Sequence, residues 1–162
     1  MIHSVQHCCK QFCEKQLDIA FTKRTLVVTA MTGTAAVNVH GETTHKACQL
    51  NCLQSNVTSD DEWENETCLV VVDETSFANI ADLKKLNQNL NLLCDRPSCD
   101  LHGDLPIVFA GDFSQLKPVG GQSLLSNKNF SLWRNKINTF LELKTNHRFH
   151  DDPEWGRLLQ HL

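Results

Sequence analysis

The sequence predicts an α/β fold, a parallel sheet flanked by helices, on three observations. Short apolar runs rich in β-branched residues recur at Thr25-Leu26-Val27-Val28-Thr29-Ala30, Cys68-Leu69-Val70-Val71-Val72 and Ile107-Val108-Phe109-Ala110. Such runs suit strands buried on both faces. Segments whose apolar residues step by three and four lie between them, and strands alternating with helices point to parallel pairing. The second and third runs each deliver polar groups at their C-terminal end, where open α/β sheets bind ligands. With 162 residues, the chain has room for one domain rather than two.

The elements follow in order. Ile2, Val5, Cys9 and Phe12 mark one face of a helix that starts at the first residue and runs to Gln16. It has no N-cap before it, so the chain looks cut from something longer. After the strand at residues 25–30, Thr32-Gly33-Thr34 is a turn signal and residues 35–39 suit a helix. Residues 53–67 are polar and acidic, with Asp60-Asp61-Glu62 and no periodicity, and read as a surface loop or small insertion. The strand at 68–72 leads to a helix marked by Ile80, Leu83, Leu86, Leu90 and Leu93. Residues 95–105 form a loop ended by Pro106, and the strand at 107–110 is closed by Gly111. Pro118 and Gly120-Gly121 make residues 112–121 a loop. Residues 140–143 read as a further short strand, and Pro153 permits a last helix over 154–162.

Composition narrows the function. Hydrophobic residues at 41% and charged residues at 21% rule out wholesale disorder. The longest aliphatic run, Leu69 to Val72, is far too short to cross a bilayer, so no membrane partner is expected. A net charge of −4 argues against a stand-alone nucleic-acid binder, unless its basic surface lies elsewhere. The eight cysteines form no C-x-x-C pair. Cys48 and Cys52 with His45, or Cys94 and Cys99 with His102, have spacings too loose for the common zinc patterns. With no secretory signal in view, reduced intracellular thiols are the expectation.

Four segments carry chemistry. In Leu69-Val70-Val71-Val72-Asp73-Glu74, two carboxylates end a buried strand. Asp73 suits Mg²⁺, a hard cation, and Glu74 suits a water attacking a terminal phosphate. A strand ending in two solvated acids is the plainer alternative. In Ala110-Gly111-Asp112-Phe113-Ser114-Gln115, Gln115 suits a sensor of terminal phosphate, against the alternative of a Gly/Pro turn with a surface Gln. The stretch from Thr29 to His45 is dense in hydroxyls and glycine, which lets a phosphate backbone approach closely; alternatively its threonines serve as caps. Arg148, just past a strand, suits a phosphate clamp or is an ordinary surface Arg.

In this order and at these separations, the four segments resemble the superfamily-one DNA helicases of the Pif-one type, helitron-like members included. Thr29 to His45 resembles motif Ia. Val70 to Phe77 resembles motif II, with Thr75-Ser76-Phe77 where Ile-Ser-Met is usual. Ala110 to Val119 resembles motif III, with Lys117 in place of a common proline. Leu143 to Arg148, with Asp151-Asp152-Pro153-Glu154-Trp155-Gly156, resembles motif IV and its downstream helix. The resemblance implies a RecA-like core and an ATP-dependent 5′→3′ DNA helicase in DNA repair, recombination or telomere maintenance, with ATP and Mg²⁺ as cofactors. It implies single-stranded DNA or DNA junctions as partners, and the nucleus, or the mitochondrion, as location. It further implies that Asp73 handles Mg²⁺, with Asp112 beside it among the nucleotide-site residues. Glu74 activates water, Gln115 couples the γ-phosphate to DNA movement and Arg148 is an arginine finger. Thr29, Thr32, Thr34 and His45 lie in the segment touching single-stranded DNA.

No G-x-x-x-x-G-K-[ST] phosphate loop occurs in the sequence. Residues 1–162 are therefore expected to be an incomplete RecA-like domain without its first strand and phosphate loop, and without the second motor domain. Alone they are expected to hydrolyse ATP negligibly. A catalytically dead remnant, or a nucleic-acid-binding module without ATPase activity, is the alternative.

Overall fold

The structure, a computed structural model, describes residues 2–96, 101–115, 117–118, 120–126, 136–143 and 154. The chain divides into two units, Met1–Phe130 and Ser131–Leu162. The first holds a four-stranded sheet in the order β2-β1-β3-β4, formed by β1 (Leu26–Ala30), β2 (Glu42–Thr43), β3 (Leu69–Asp73) and β4 (Ile107–Phe109). All three pairings are parallel, as the alternation of strands and helices predicts. The register sets Leu26 beside Leu69 and Ala30 beside Asp73, then Val70 beside Ile107 and Val72 beside Phe109. The C-terminal ends of β1, β3 and β4 thus share one edge.

The apolar runs go where their composition sends them. Every residue of β1 is buried, as are Val70, Val71 and Val72 of β3, because each strand has neighbours on both sides. β4 has one partner among the described residues and is only half-buried. Helix α1 (Ile2–Phe12) lays Ile2, Val5 and Cys9 on a cluster made by Leu26, Val28, Ala30, Ala36, Val39 and Val71. Its stripe advances by four from Cys9, so Cys13 is buried while Phe12 is exposed, and the chain widens into a π-helical turn over Cys13–Leu17. Helix α2 (Gly33–Asn38) follows β1, and a single turn of helix, α3 (Thr44–Ala47), follows β2.

Two expectations need correction. Residues 53–67 are not simply loop: Asp60 caps α4 (Asp61–Asn65) by accepting from the Glu62 N–H at 2.9 Å, and Val57 and Trp63 are buried. Two apolar anchors among polar residues carry no period, so pattern reading passed over them. Residues 140–143 form no strand: no described residue there enters a sheet, and a strand needs a paired neighbour to satisfy its backbone. Of the helix expected over 154–162, all but Glu154 lies outside the described residues.

Helix α5 (Ile80–Leu93) is begun by a reciprocal capping box. Asp82 N–H donates to Asn79 Oδ1 at 3.0 Å, and Asn79 N–H donates to Asp82 Oδ2 at 3.1 Å. Leu83, Leu86, Leu90 and Leu93 bury one face, as their spacing predicts. Its asparagines strap neighbouring loops to it. Asn89 Nδ2 donates to the carbonyls of Cys48 and Gln49, both at 2.9 Å. Asn87 and Asn91 accept from the His102 and Gly103 N–H groups at 2.8 and 2.6 Å.

The His102 ring is thereby buried edge-on to Phe109, at 6.1 Å between centroids, with no partner on Nδ1. Burial lowers its pKa from 6.5 to about 4, because the imidazolium loses its hydration there. Above 6.5 the ring is neutral in both folded and unfolded chains, so stability is full. Below 6.5 only the unfolded chain takes up the proton. Stability therefore falls as pH drops from 6.5 toward 4, by about 3 kcal/mol from this residue. Urea midpoints at pH 7 and pH 4.5 measure it. His102→Asn, which tolerates the residue's positive φ of 49°, should flatten the pH dependence. An equally steep loss in that variant would place the acid sensitivity elsewhere.

Candidate nucleotide and DNA site

Asp73 is the last residue of β3 and is half-buried, and its carboxylate makes no hydrogen bond or ion pair with any described residue. Its backbone carbonyl accepts from the Met31 N–H at 3.0 Å, which ties the acid's position to the segment leaving β1. Glu74 stands in the left-handed region, φ 53° and ψ 39°, where non-glycine residues are uncommon. That kink ends the strand at once and starts a 3-10 turn, Thr75–Phe77. The turn is locked from beneath. Thr75 N–H donates to the Ala110 carbonyl at 2.8 Å, and Thr75 Oγ1 donates to the Val72 carbonyl at 2.9 Å.

Gly111 seats the neighbouring loop against this turn. A Cβ there would lie 2.9 Å from Thr75 N and 3.0 Å from Ser76 N, both backbone atoms, so only glycine fits without a shift. Beyond it Asp112 folds its own loop: Oδ1 accepts from the Ser114 N–H at 2.9 Å, and Oδ2 lies 3.5 Å from Gln115 Nε2. Both Asp112 and Gln115 are exposed. The structure thus brings the loops carrying Asp73-Glu74 and Asp112-Gln115 into backbone contact on one edge of the sheet. Arg148 lies outside the described residues.

The Thr29–His45 segment divides by burial. Thr29 requires correction as a DNA-contacting residue. It is wholly buried, its hydroxyl donating to the Val71 carbonyl at 2.9 Å and accepting from Thr44 Oγ1 at 3.0 Å. A side chain inside the sheet offers DNA nothing. Thr32 is half-buried and caps α2, its Oγ1 accepting from the Ala35 N–H at 3.3 Å. Thr34 is exposed. His45, half-buried on α3, places Nε2 4.0 Å from Asp82 Oδ1. Sequence reasoning missed Thr44, Asn79 and Asp82. The Asn79-x-x-Asp82 spacing before an apolar stripe was the available signal for a helix cap.

A half-buried carboxylate without a partner among the described residues, at the end of a central strand, fits Mg²⁺, which takes one or two protein carboxylates and completes its shell with water and phosphate. Among the described residues no three His, Cys, Asp or Glu side chains are grouped to hold a metal ion. Burial also pushes the Cys48 thiol up to about 12, which opposes a thiolate there.

The model of the PIF1-like helicase family matches residues 9–155. The chain belongs to this family. Among curated relatives of this PIF1-like chain, the ATP-dependent DNA helicase RRM3 of Saccharomyces cerevisiae is 31% identical over 116 residues, covering 65% of the chain and 16% of the helicase. The ATP-dependent DNA helicase Pif1 of Psychrobacter is 28% identical over 117 residues, covering 65% and 17%. The chain therefore spans about a sixth of the length of these enzymes. The crystal structure of Pif1 from Candida albicans superposes with a TM-score of 0.74 at 23% identity, covering 99% of this chain and 37% of that one, and shows the shared fold. A Bacteroides Pif1 bound to single-stranded DNA superposes at 0.51 with 25% identity, covering 70% and 27%. The fold is thus the RecA-like α/β core of PIF1-like helicases, a family of ATP-using enzymes.

Proposed function

We propose that this chain forms part of the first motor domain of an ATP-dependent DNA helicase moving 5′→3′ on single-stranded DNA, in DNA repair, recombination or telomere maintenance. Such a motor works where the genome is, in the nucleus or mitochondrion. The observation that carries the reading is the shared sheet edge. Asp73 and Glu74 end β3, the Asp112–Gln115 loop abuts their turn, and the Met31 N–H holds the Asp73 carbonyl. The two acids, the Asp112–Gln115 loop and a hydroxyl-rich strand-to-helix segment therefore meet at one place, which supports the reading.

In this reading Asp73 holds Mg²⁺, whose role is to neutralise charge on the phosphates of ATP. Glu74 takes a proton from the attacking water. Gln115, held near Asp112, reports the γ-phosphate, and Arg148 takes the role of an arginine finger by the family resemblance. Thr32, Thr34 and His45 face single-stranded DNA or the strands of a junction. Thr29 supports them from inside the sheet.

The test is binding of fluorescein-labelled oligothymidylate to the 162-residue chain at one stated moderate salt concentration, since phosphate contacts are screened. Replacing Thr32, Thr34 and His45 together by Ala should weaken binding about tenfold or more, the scale of a few hydrogen bonds. An unchanged titration would remove the DNA role from this segment.

A further inference from the structure

Adjacent residues of α3 face two elements that bracket the acids, Thr44 through a hydrogen bond and His45 through a 4.0 Å approach to a carboxylate. Thr44 is wholly buried and donates to Thr29 Oγ1 at 3.0 Å, and Thr29 passes the bond to the Val71 carbonyl at 2.9 Å. Val71 lies two residues before Asp73. On the other side His45 Nε2 sits 4.0 Å from Asp82 Oδ1, while Asp82 Oδ2 accepts from the Asn79 N–H at 3.1 Å. Asn79 follows Glu74 by one short turn. A third loop is pinned there too: Ile80 N–H donates to the Gln122 carbonyl at 3.1 Å, and a Cβ on Gly121 would strike the Asn79 side chain.

Neither tie is what packing alone asks for. β1 and β3 are otherwise rich in valine, which would fill the place of a buried threonine without a hydroxyl to satisfy. The capping box needs one carboxylate oxygen of Asp82, and the other is turned toward His45.

We propose that Thr44 and Asp82 are positioning residues that fasten the Thr32–His45 segment to the Asp73-Glu74 turn, so that single-stranded DNA held by the first orders the second. This rests on the reading of that segment as a DNA contact. Coupling needs a contiguous set of contacts whose state both sites bias. The Thr44–Thr29–Val71 bonds and the Met31–Asp73 backbone bond join the two segments contiguously, and exchange with and without DNA reads whether both sites bias them.

Hydrogen exchange on the 162-residue chain, with and without oligothymidylate, tests this. DNA should slow amide exchange over residues 31–45 and also over residues 69–77. In the Thr44→Val, Asp82→Asn double variant the slowing at 31–45 should persist. That at 69–77 should shrink about fivefold, the low end of ordinary site-to-site couplings. Thr44→Ser, which keeps the hydroxyl, should behave as the original chain. If the double variant loses its fold by circular dichroism, Thr44→Val alone is read, since it leaves the capping box intact. Equal slowing at 69–77 in the variant, or slowing at 31–45 without any at 69–77 in the original chain, overturns the ties while leaving the DNA contact standing. No slowing anywhere overturns both.

Discussion

Glu74→Gln should reduce ATP turnover at least ~100-fold in a helicase-length protein carrying this segment, the usual scale for losing general acid–base help. That is about 3 kcal/mol of barrier. The amide keeps the size of the side chain, and the left-handed backbone at φ 53° is no harder for Gln than for Glu. What disappears is the ability to take a proton from water. Asp73 lies on the strand itself rather than on the kink, and its carboxylate has no described protein partner. Nucleotide and Mg²⁺ affinity should therefore survive in the Gln variant, and should fall in Asp73→Asn. Single-turnover hydrolysis with a separate nucleotide-binding titration distinguishes the two. Normal hydrolysis by Glu74→Gln would show that another group activates the water.

Much of this arrangement is legible in the sequence, for a physical reason. A strand buried on both faces must be apolar throughout, so Val70-Val71-Val72 declares itself, and the first polar residues after it must lie at the sheet's edge. The stripe of Leu83, Leu86, Leu90 and Leu93 is equally plain, because a long amphipathic helix repeats its signal over several turns. Short elements carry no repeat. β2 has two residues and α3 four, and both exist because tertiary contacts complete them, so nothing in the local pattern marks them. Residues 140–143 show the converse error: an apolar alternation suits a strand, but pairing is a property of the neighbour. Thr29 departs from its expectation for a related reason. A hydroxyl in a Thr-rich segment looks available to a ligand until the sheet register shows it donating to the Val71 carbonyl at 2.9 Å.

Two glycines of that same segment should respond to alanine in opposite ways. A Cβ on Gly41 would collide with the Val28 carbonyl oxygen and lie 2.9 Å from its carbon, backbone atoms in the middle of β1 that cannot turn aside. Gly41 N–H also donates to the Ala36 carbonyl at 2.9 Å, which fixes the exit from α2 into β2. Gly41→Ala must therefore push β2 off β1, and with it Thr43 to His45. The cost should be about 2 kcal/mol or more, the scale of overpacking a rigid interior, read as a drop in urea midpoint. Among the described residues nothing lies within 4 Å of a would-be Cβ on Gly33, which stands at the start of α2 with an ordinary φ. There Ala narrows the unfolded ensemble and favours the helix, so stability should hold or rise by up to ~1 kcal/mol. In the proposed reading, a bare backbone between Thr32 and Thr34 leaves room for a phosphate backbone to come close. Gly33→Ala should therefore weaken oligothymidylate binding without lowering the urea midpoint. Unchanged DNA affinity in that variant would mean that no phosphate backbone approaches there.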